Sequence, residues 1–288
     1  MSKVRIRPAR TMDRPAAEGI CAEWSADYVP EVWDEWVADP HGQLAVAEFE
    51  DRVVGFAKLS RLADDEWWLK GLRVDAAHRR QGIAGQLQAH LVQKARQAGR
   101  GTLRLGTLSL NEPVHRLAAR DGFRRVATYR WYRADSLPAA DVPPLRRLAG
   151  ADLPATWALV GESPCYQAAG GLYESFWMWQ NLTRERLARH LAAGHVWGMD
   201  THDGVSALVL ICRTEEAEPL DVGYVDGAEG ALVAILRGTR GLAAQLGCAE
   251  VNIRPVDEPR LIAAVEAAGY ERSRDHDLWI FELRLGRR

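Results

Sequence analysis

The 288-residue sequence carries the same order of local signals twice. Asp13-Arg14-Pro15 is echoed by Asp152-Leu153-Pro154, and Glu50-Asp51 by Asp203-Gly204. Val74-Asp75 returns as Val225-Asp226, and Gly99 as Gly247. Asn111-Glu112-Pro113 returns as Asp257-Glu258-Pro259, and Gly122-Phe123 as Gly269-Tyr270. The spacings follow: Asp75 to Gly99 is 24 positions and Asp226 to Gly247 is 21, while Gly99 to Gly122 is 23 and Gly247 to Gly269 is 22. Six ordered pairs at a near-constant offset predict one domain of about 140 residues written twice, far longer than a solenoid repeat. The length agrees, since roughly 150 residues per domain gives two domains.

Within the first copy, residues 4–7 alternate as a short strand, and a helix capped by Asp13 follows, with Pro15 in its first turn. Residues 43–49 and 52–61 read as strands joined in a tight hairpin at Glu50-Asp51. Residues 67–74 form another apolar strand. A loop over 75–81 leads into a long helix closed by Gly99. Ile83, Leu87, Leu91, Ala95 and Ala98 give that helix one buried stripe. Residues 102–108 form a strand, 112–120 a helix opened by Asn111 and Pro113, and 123–133 a final strand. The Pro- and Ala-rich stretch 136–144 is the linker, so the expected domains are 1–138 and 145–288.

Composition excludes several classes. An apolar fraction of 47% with 26% charged residues rules out a disordered chain. A net charge of −2 supplies no general field for nucleic acid or an anionic membrane. No apolar run reaches the roughly 18–20 residues of a membrane span. The start Ser2-Lys3-Val4-Arg5 lacks the apolar core of a secretory signal. Cys21, Cys165, Cys212 and Cys248 fit no metal or disulfide framework and read as reduced thiols, so a cytoplasmic protein without a metal site is expected. Lysine is rare, occurring at Lys3, Lys58, Lys70 and Lys94. Tryptophan is frequent, with eleven residues; Trp157, Trp177, Trp179 and Trp197 of the second copy fit either a core or an acceptor cleft.

Chemistry concentrates in 74–85, Val-Asp-Ala-Ala-His-Arg-Arg-Gln-Gly-Ile-Ala-Gly, between a strand and a helix. A turn entering a helix presents unpaired backbone N–H groups backed by the positive end of the helix dipole. Gly82, Ala84 and Gly85 let an anion such as pyrophosphate approach the main chain, and Arg79 and Arg80 add charge. An ordinary strand-to-helix turn whose glycines only tolerate unusual dihedrals is the other reading of this stretch. It is neither a P-loop nor a dinucleotide-binding glycine motif.

Arg79-x-x-Gly82-x-Ala84 after Leu72-Arg73-Val74 resembles the Arg/Gln-x-x-Gly-x-Gly/Ala signature of the GNAT superfamily of acyl-CoA-dependent N-acyltransferases. The element order through 3–133, and Asn111 followed by a helix and Gly122-Phe123, resemble that family too. The resemblance implies an α/β fold of α+β type: two GNAT-like domains, each a mixed, mostly antiparallel sheet flanked by helices. It implies acetyl-CoA as co-substrate and direct acetyl transfer to a small-molecule or peptide amine, with no metal. By position, the backbone of Leu72, Arg73 and Val74, freed by a bulge in the fourth strand, meets the thioester carbonyl and pantetheine arm. Arg79, Arg80, Gln81, Gly82, Ile83, Ala84 and Gly85 hold the pyrophosphate, and Asn111 contacts the pantetheine arm.

An alkylammonium acceptor must lose a proton before it attacks. Glu66 is the first candidate base, with Asp64, Asp65 and Glu23 as rivals. The family's acid, a tyrosine, is replaced here by Ala118; His115, Tyr129 and Tyr132 are the alternatives. A free thiol has a pKa near 8.5, so an unassisted thiolate is a tolerable leaving group. Nothing around Cys21 suggests an activated nucleophile. In the second copy the cofactor loop is shorter and lacks Arg-x-x-Gly-x-Ala, and Glu229 faces the anion site with the wrong sign. A degenerate domain that does not bind acyl-CoA in the usual way is expected there. An acyl-CoA-binding sensor without turnover, and a soluble α/β protein without an acyl-CoA site, are the competing function classes.

Overall fold

The structure, a computed structural model, describes residues 4–23, 27–202, 204–212, 219–228 and 230–286. The expected turn residue Asp203 and the charge at Glu229 lie outside the described residues.

Strand β1 (Arg5–Pro8) leads through a short 3-10 turn to α1 (Arg14–Cys21) and α2 (Val29–Ala38). A meander follows: β2 (Gln43–Phe49), β3 (Arg52–Ala63) and β4 (Glu66–Val74). Helix α3 (Ile83–Gln97), β5 (Gly101–Leu108) and α4 (Glu112–Arg120) come next. The expected single strand 123–133 is two, β6 (Arg124–Tyr129) and β7 (Tyr132–Asp135). The chain continues through β8 (Arg146–Arg147), α5 (Leu153–Gly161), α6 (Pro164–Ala168), β9 (Leu172–Ser175), β10 (Met178–Asn181) and α7 (Arg184–Ala193). It ends with β11 (Val196–Thr201), β12 (Gly204–Cys212), β13 (Leu220–Gly227), α8 (Ala231–Gln245), β14 (Glu250–Ile253), α9 (Pro259–Ala267), β15 (Glu271–Arg272) and β16 (Leu278–Leu285).

Two seven-stranded sheets result, in the orders β1-β2-β3-β4-β5-β16-β6 and β15-β7-β14-β13-β12-β11-β8, with β9–β10 as a separate ribbon. In each sheet one central pair is parallel, β4–β5 and β13–β14, among antiparallel neighbours such as β2–β3 and β12–β13. The parallel pair requires a crossover helix, and α3 and α8 supply it, each 15 residues long. The chain therefore has two GNAT-like α/β folds. It clusters into two compact units: one holds residues up to Gly106, Glu112–Arg124 and the segment from Phe281, the other Thr107–Asn111 and Arg125–Ile280.

In the first unit α1 and α2 bury Ala17, Ile20, Val29, Trp33 and Trp36 against Leu44, Val46 and Phe56. Trp33 meets the Phe56 ring edge-on, with centroids 5.5 Å apart. On α3, Ile83, Leu87, Leu91 and Ala95 are at most 1% exposed, as their spacing predicts, whereas Ala98, just past the helix end at Gln97, is exposed. Ile83, Leu87 and Leu91 each contribute roughly 1.5–3 kcal/mol by leaving water. The hairpin at Glu50-Asp51 has φ of 47° and 59°, the left-handed pair that a two-residue turn needs.

The second unit buries Leu148, Val160, Leu187, Leu191, Leu208 and Leu210 in one cluster. Its linker-like segment is packed rather than loose: a Cβ added at Gly241 falls 2.3 Å from Val142, and one at Gly238 falls 2.8 Å from the Pro143 carbonyl. The β9–β10 hairpin has no turn signature in the sequence. Its two loop residues, Phe176 and Trp177, hold φ of 49° and 63° while 51% and 53% exposed. Of the tryptophans left open between core and cleft, Trp179 is buried, Trp157 and Trp197 are half-buried, and Trp177 is exposed.

Candidate active site

Strand β4 carries the first feature of the site. It pairs with β5 from Glu66↔Thr102 to Leu69↔Leu105 and no further, while its pairing with β3 continues to Gly55↔Val74. Between Lys58↔Lys70 and Phe56↔Arg73, β4 holds one residue more than β3, which is a β-bulge. Gly71 sits in it at φ +66°. Only glycine fits well here, because an added Cβ would also fall 2.7 and 2.8 Å from the Trp36 ring. The consequence is a change of environment along one central strand. Glu66, Trp67, Trp68 and Leu69 are buried, and residues 70–75 are all half-exposed. Backbone groups of Leu72, Arg73 and Val74 thus lie beyond the last β5 partner.

The second feature follows at once. Asp75 accepts hydrogen bonds from the Ala77 N–H (2.8 Å) and contacts His78 Nδ1 (3.2 Å), folding 76–78 into one 3-10 turn. The His78 contact, first, and the Ala77 N–H hold the Asp75 carboxyl below the usual carboxylate range. Gly82 then caps α3 in the left-handed region, φ +79°, with no atom within 4 Å of an added Cβ. Its requirement is therefore conformational rather than steric. Arg80 shares the left-handed region at φ +62°. The first bond into α3 runs from the Gln86 N–H to the Gly82 carbonyl, so the N–H groups of Ile83, Ala84 and Gly85 precede the helical ladder. Gly85 has a different reason: an added Cβ falls 2.7 Å from the Arg120 guanidinium.

Around this loop, Arg79 Nε donates to the Val74 carbonyl at 3.1 Å and its guanidinium pairs with Glu23. Arg73 Nε donates to Asp27 at 2.7 Å. Lys58 is 1% exposed and pairs with Asp39. Its cross-strand neighbour Lys70 lies over the Trp36 ring, 5.0 Å from the centroid. Burial, aided by the Lys58 charge, lowers the Lys70 pKa. Neither α2 nor the position of Lys70 is announced by a sequence motif. The rarity of lysine was a compositional signal for Lys70, but only the strand register gives it a position.

The residues expected to carry proton transfer are not brought together. Glu66 is 3% exposed and accepts from Arg104 at 3.0 Å; Arg104 also donates to Glu282 at 2.8 Å. Glu66 lies at the closed end of β4, in strand register with Thr102 and four residues before the Lys70–Gly71 split. His115 lies on α4 beside the Phe281 ring, centroids 5.7 Å apart. Tyr132 donates to Glu266 at 2.7 Å within the second unit, and burial raises its pKa. Tyr129 is 4% exposed against the Trp179 ring. Asn111 belongs to the second unit and donates its side-chain amide to Thr107 at 3.1 Å. Ala118 is fully buried in α4. Cys21 is buried, and burial pushes its thiol up to about 12, the opposite of an activated nucleophile.

The second unit repeats the scaffold with different contents. Its parallel pair ends at Val222↔Ile253, and Gly223 is the extra residue between Ile211↔Val222 and Leu210↔Tyr224. Gly230 caps α8 at φ +85°, as Gly82 caps α3. Here, however, β9 lies against the bulge, so a Cβ at Gly223 would fall 2.3 Å from the Glu174 carbonyl. Glu174 binds Arg254 at 2.5 and 2.7 Å, and Arg254 also reaches Asp221 at 2.9 Å. Asp226 is 1% exposed, accepting from Tyr224 and the Gly227 N–H; burial raises its pKa.

This geometry agrees with comparisons to known proteins. Residues 6–123 match the acetyltransferase (GNAT) family. The chain's fold is similar to a GCN5-related N-acetyltransferase from Sphaerobacter thermophilus at 17% identity and TM-score 0.66, covering 99% of this chain and 96% of that one. It is also similar to a tandem GNAT protein from the clavulanic acid biosynthesis pathway, at 18% identity and TM-score 0.59, covering 99% and 100%. A GCN5-related N-acetyltransferase from Kribbella flavida shares 15% identity at TM-score 0.53, covering 98% and 71%. The match to the GNAT family thus falls on the first of the two folds, and the chain as a whole has the fold of these tandem and GCN5-related N-acetyltransferases.

Proposed function

We propose that the first unit is an acetyl-CoA-dependent N-acetyltransferase that passes the acetyl group directly to an amine of a small molecule or peptide. The observation that carries this reading is the adjacency of two features on one stretch of chain. The bulge at Gly71 opens β4 from β5, and eight residues after Val74 the left-handed Gly82 starts α3. The residues present fit an acyl-CoA. Ile83, Ala84 and Gly85 offer N–H groups outside the helical ladder to the pyrophosphate, and Arg80 and Gln81 flank them on an exposed turn. The backbone beyond Leu69 offers donors to a thioester carbonyl, whose oxygen gains charge in the transition state of acyl transfer. The acetyl thioester supplies the activated acyl group; the protein's part is to orient it and stabilise that oxygen.

No covalent enzyme intermediate is needed, because the acceptor amine is itself the nucleophile. Buried Cys21, with its raised pKa, supports direct transfer. The second unit is, on this proposal, a degenerate copy that holds no acyl-CoA. Support comes from the β9 backbone against Gly223 and from a loop of three residues between Gly227 and Ala231 where the first unit has eight between Val74 and Ile83.

The test is two-part. Coenzyme A raises the Tm of the protein while NAD and ATP do not. Acetyl-CoA with a panel of primary amines releases CoA thiol only when an amine is acetylated. Stabilisation without turnover on the whole panel would leave a binding protein in place of an enzyme.

A further inference from the structure

Resting on the acetyltransferase reading, we propose that Lys70 is the group that takes the proton from the acceptor ammonium and returns one to the departing thiolate. Lys70 follows Leu69, the last β4 residue paired to β5, and precedes the Gly71 bulge, so it stands at the vertex of the split. It is the first half-exposed residue after four buried ones on that strand. Its Nζ lies over the Trp36 ring, which the Tyr28 ring meets edge-on at 5.8 Å.

Four carboxylates near the split are held by other groups. Glu66 is held by Arg104, Glu23 by Arg79, Asp27 by Arg73 and the Val29 N–H, and Asp75 by the Ala77 N–H and His78. Each of these carboxylates already accepts from a fixed donor. Burial lowers the Lys70 pKa, the cross-strand Lys58 lowers it further, and Glu35 and Asp39 of the α2 side oppose this in part. Lys58 cannot take the role itself, being fully buried and bonded to Asp39 and the Trp36 carbonyl.

The lone pair of neutral Lys70 Nζ takes a proton from the acceptor ammonium. The freed amine attacks the thioester carbonyl carbon, forming the C–N bond. The C–S bond then breaks and its electron pair leaves on sulfur. The amide nitrogen releases its second proton to water, and the Lys70 ammonium protonates the thiolate, which restores the neutral amine. One group thereby serves at both ends of the reaction, where Ala118 leaves no tyrosine to act as acid.

The experiment compares wild type, Lys70→Met and Lys70→Arg in the full chain with acetyl-CoA and two acceptor sets: primary alkylamines, protonated at pH 7, and arylamines, already neutral. For alkylamines, kcat/KM falls about 10²–10⁴-fold in both variants, and the acidic limb of the wild-type pH profile disappears. For arylamines the fall is below tenfold, and CoA affinity is unchanged. Competitive labelling of wild type with acetic anhydride, read by mass spectrometry, shows Lys70 titrating below exposed Lys94. Equal losses on both acceptor sets, no loss, or Lys70 titrating with or above Lys94 overturns the proposal. Failure of wild type to acetylate any amine overturns the acetyltransferase reading and this inference together.

Discussion

Replacing Gly71 by alanine tests whether the bulge in β4 is built around a missing side chain. Two costs are separable. A left-handed conformation in a non-glycine residue costs about 1–2 kcal/mol. The new methyl also meets Trp36 ring carbons at 2.7 and 2.8 Å. Trp36 is 3% exposed in a packed cluster, so overpacking adds roughly 1–3 kcal/mol. The expected loss for the first unit is therefore about 2–5 kcal/mol. Gly82→Ala is the control, because φ there is +79° but nothing lies within 4 Å; it costs about 1–2 kcal/mol. Urea titrations followed by tryptophan fluorescence give both values. A third variant isolates the clash: in a Trp36→Phe background the smaller ring withdraws those atoms, and Gly71→Ala then costs no more than the control. A positive coupling of about 1–3 kcal/mol in that cycle is the prediction. Equal costs for Gly71→Ala and Gly82→Ala in the wild-type background would refute the packing argument.

Other expectations follow from the same contacts. Glu66→Gln leaves Arg104 with one carboxylate instead of two and lowers stability by about 1–3 kcal/mol; its CoA affinity and pH–rate profile match wild type, because the residue lies at the closed end of β4. His190, bonded to Tyr173 and beside His195, has its pKa pushed down to about 4, chiefly by burial. The unfolded chain binds that proton more readily, so this contribution is present above pH ~6.5 and is lost as pH falls towards ~4. Tm against pH in wild type and His190→Gln shows a steeper acidic fall in wild type. Phe176→Asn places a residue tolerant of positive φ in the exposed β9–β10 turn and raises stability by about 0.5–1 kcal/mol in a thermal melt.

Much of the fold was legible because its punctuation is local. The 112–120 helix, the Glu50-Asp51 turn and the α3 stripe each depend on neighbours within a turn or two of chain. The 79–85 loop was legible for the same reason: Gly82 marks a left-handed helix start whatever surrounds it. What escaped depends on partners distant in sequence. The break at Arg130-Trp131, which turns one expected strand into two in different sheets, has no glycine or proline to announce it. The β9–β10 hairpin turns on two aromatic residues that the usual turn chemistry would reject. Glu66 reads as a polar strand residue until Arg104 and Glu282, 38 and 216 positions away, close around it. Lys70 gains meaning only from the register that ends β5 pairing one residue before it.

The central claim is that one of two similar folds binds acyl-CoA, at the loop that starts α3. Calorimetric titration of the full chain with coenzyme A measures this directly, in wild type and in Gly82→Glu. An added side chain at Gly82 points into open space, so the variant stays folded while bulk and negative charge enter the anion cradle. One CoA per chain in wild type, and none in Gly82→Glu at the same circular dichroism spectrum, is the predicted result. Two CoA per chain, or unchanged affinity in Gly82→Glu, would contradict it.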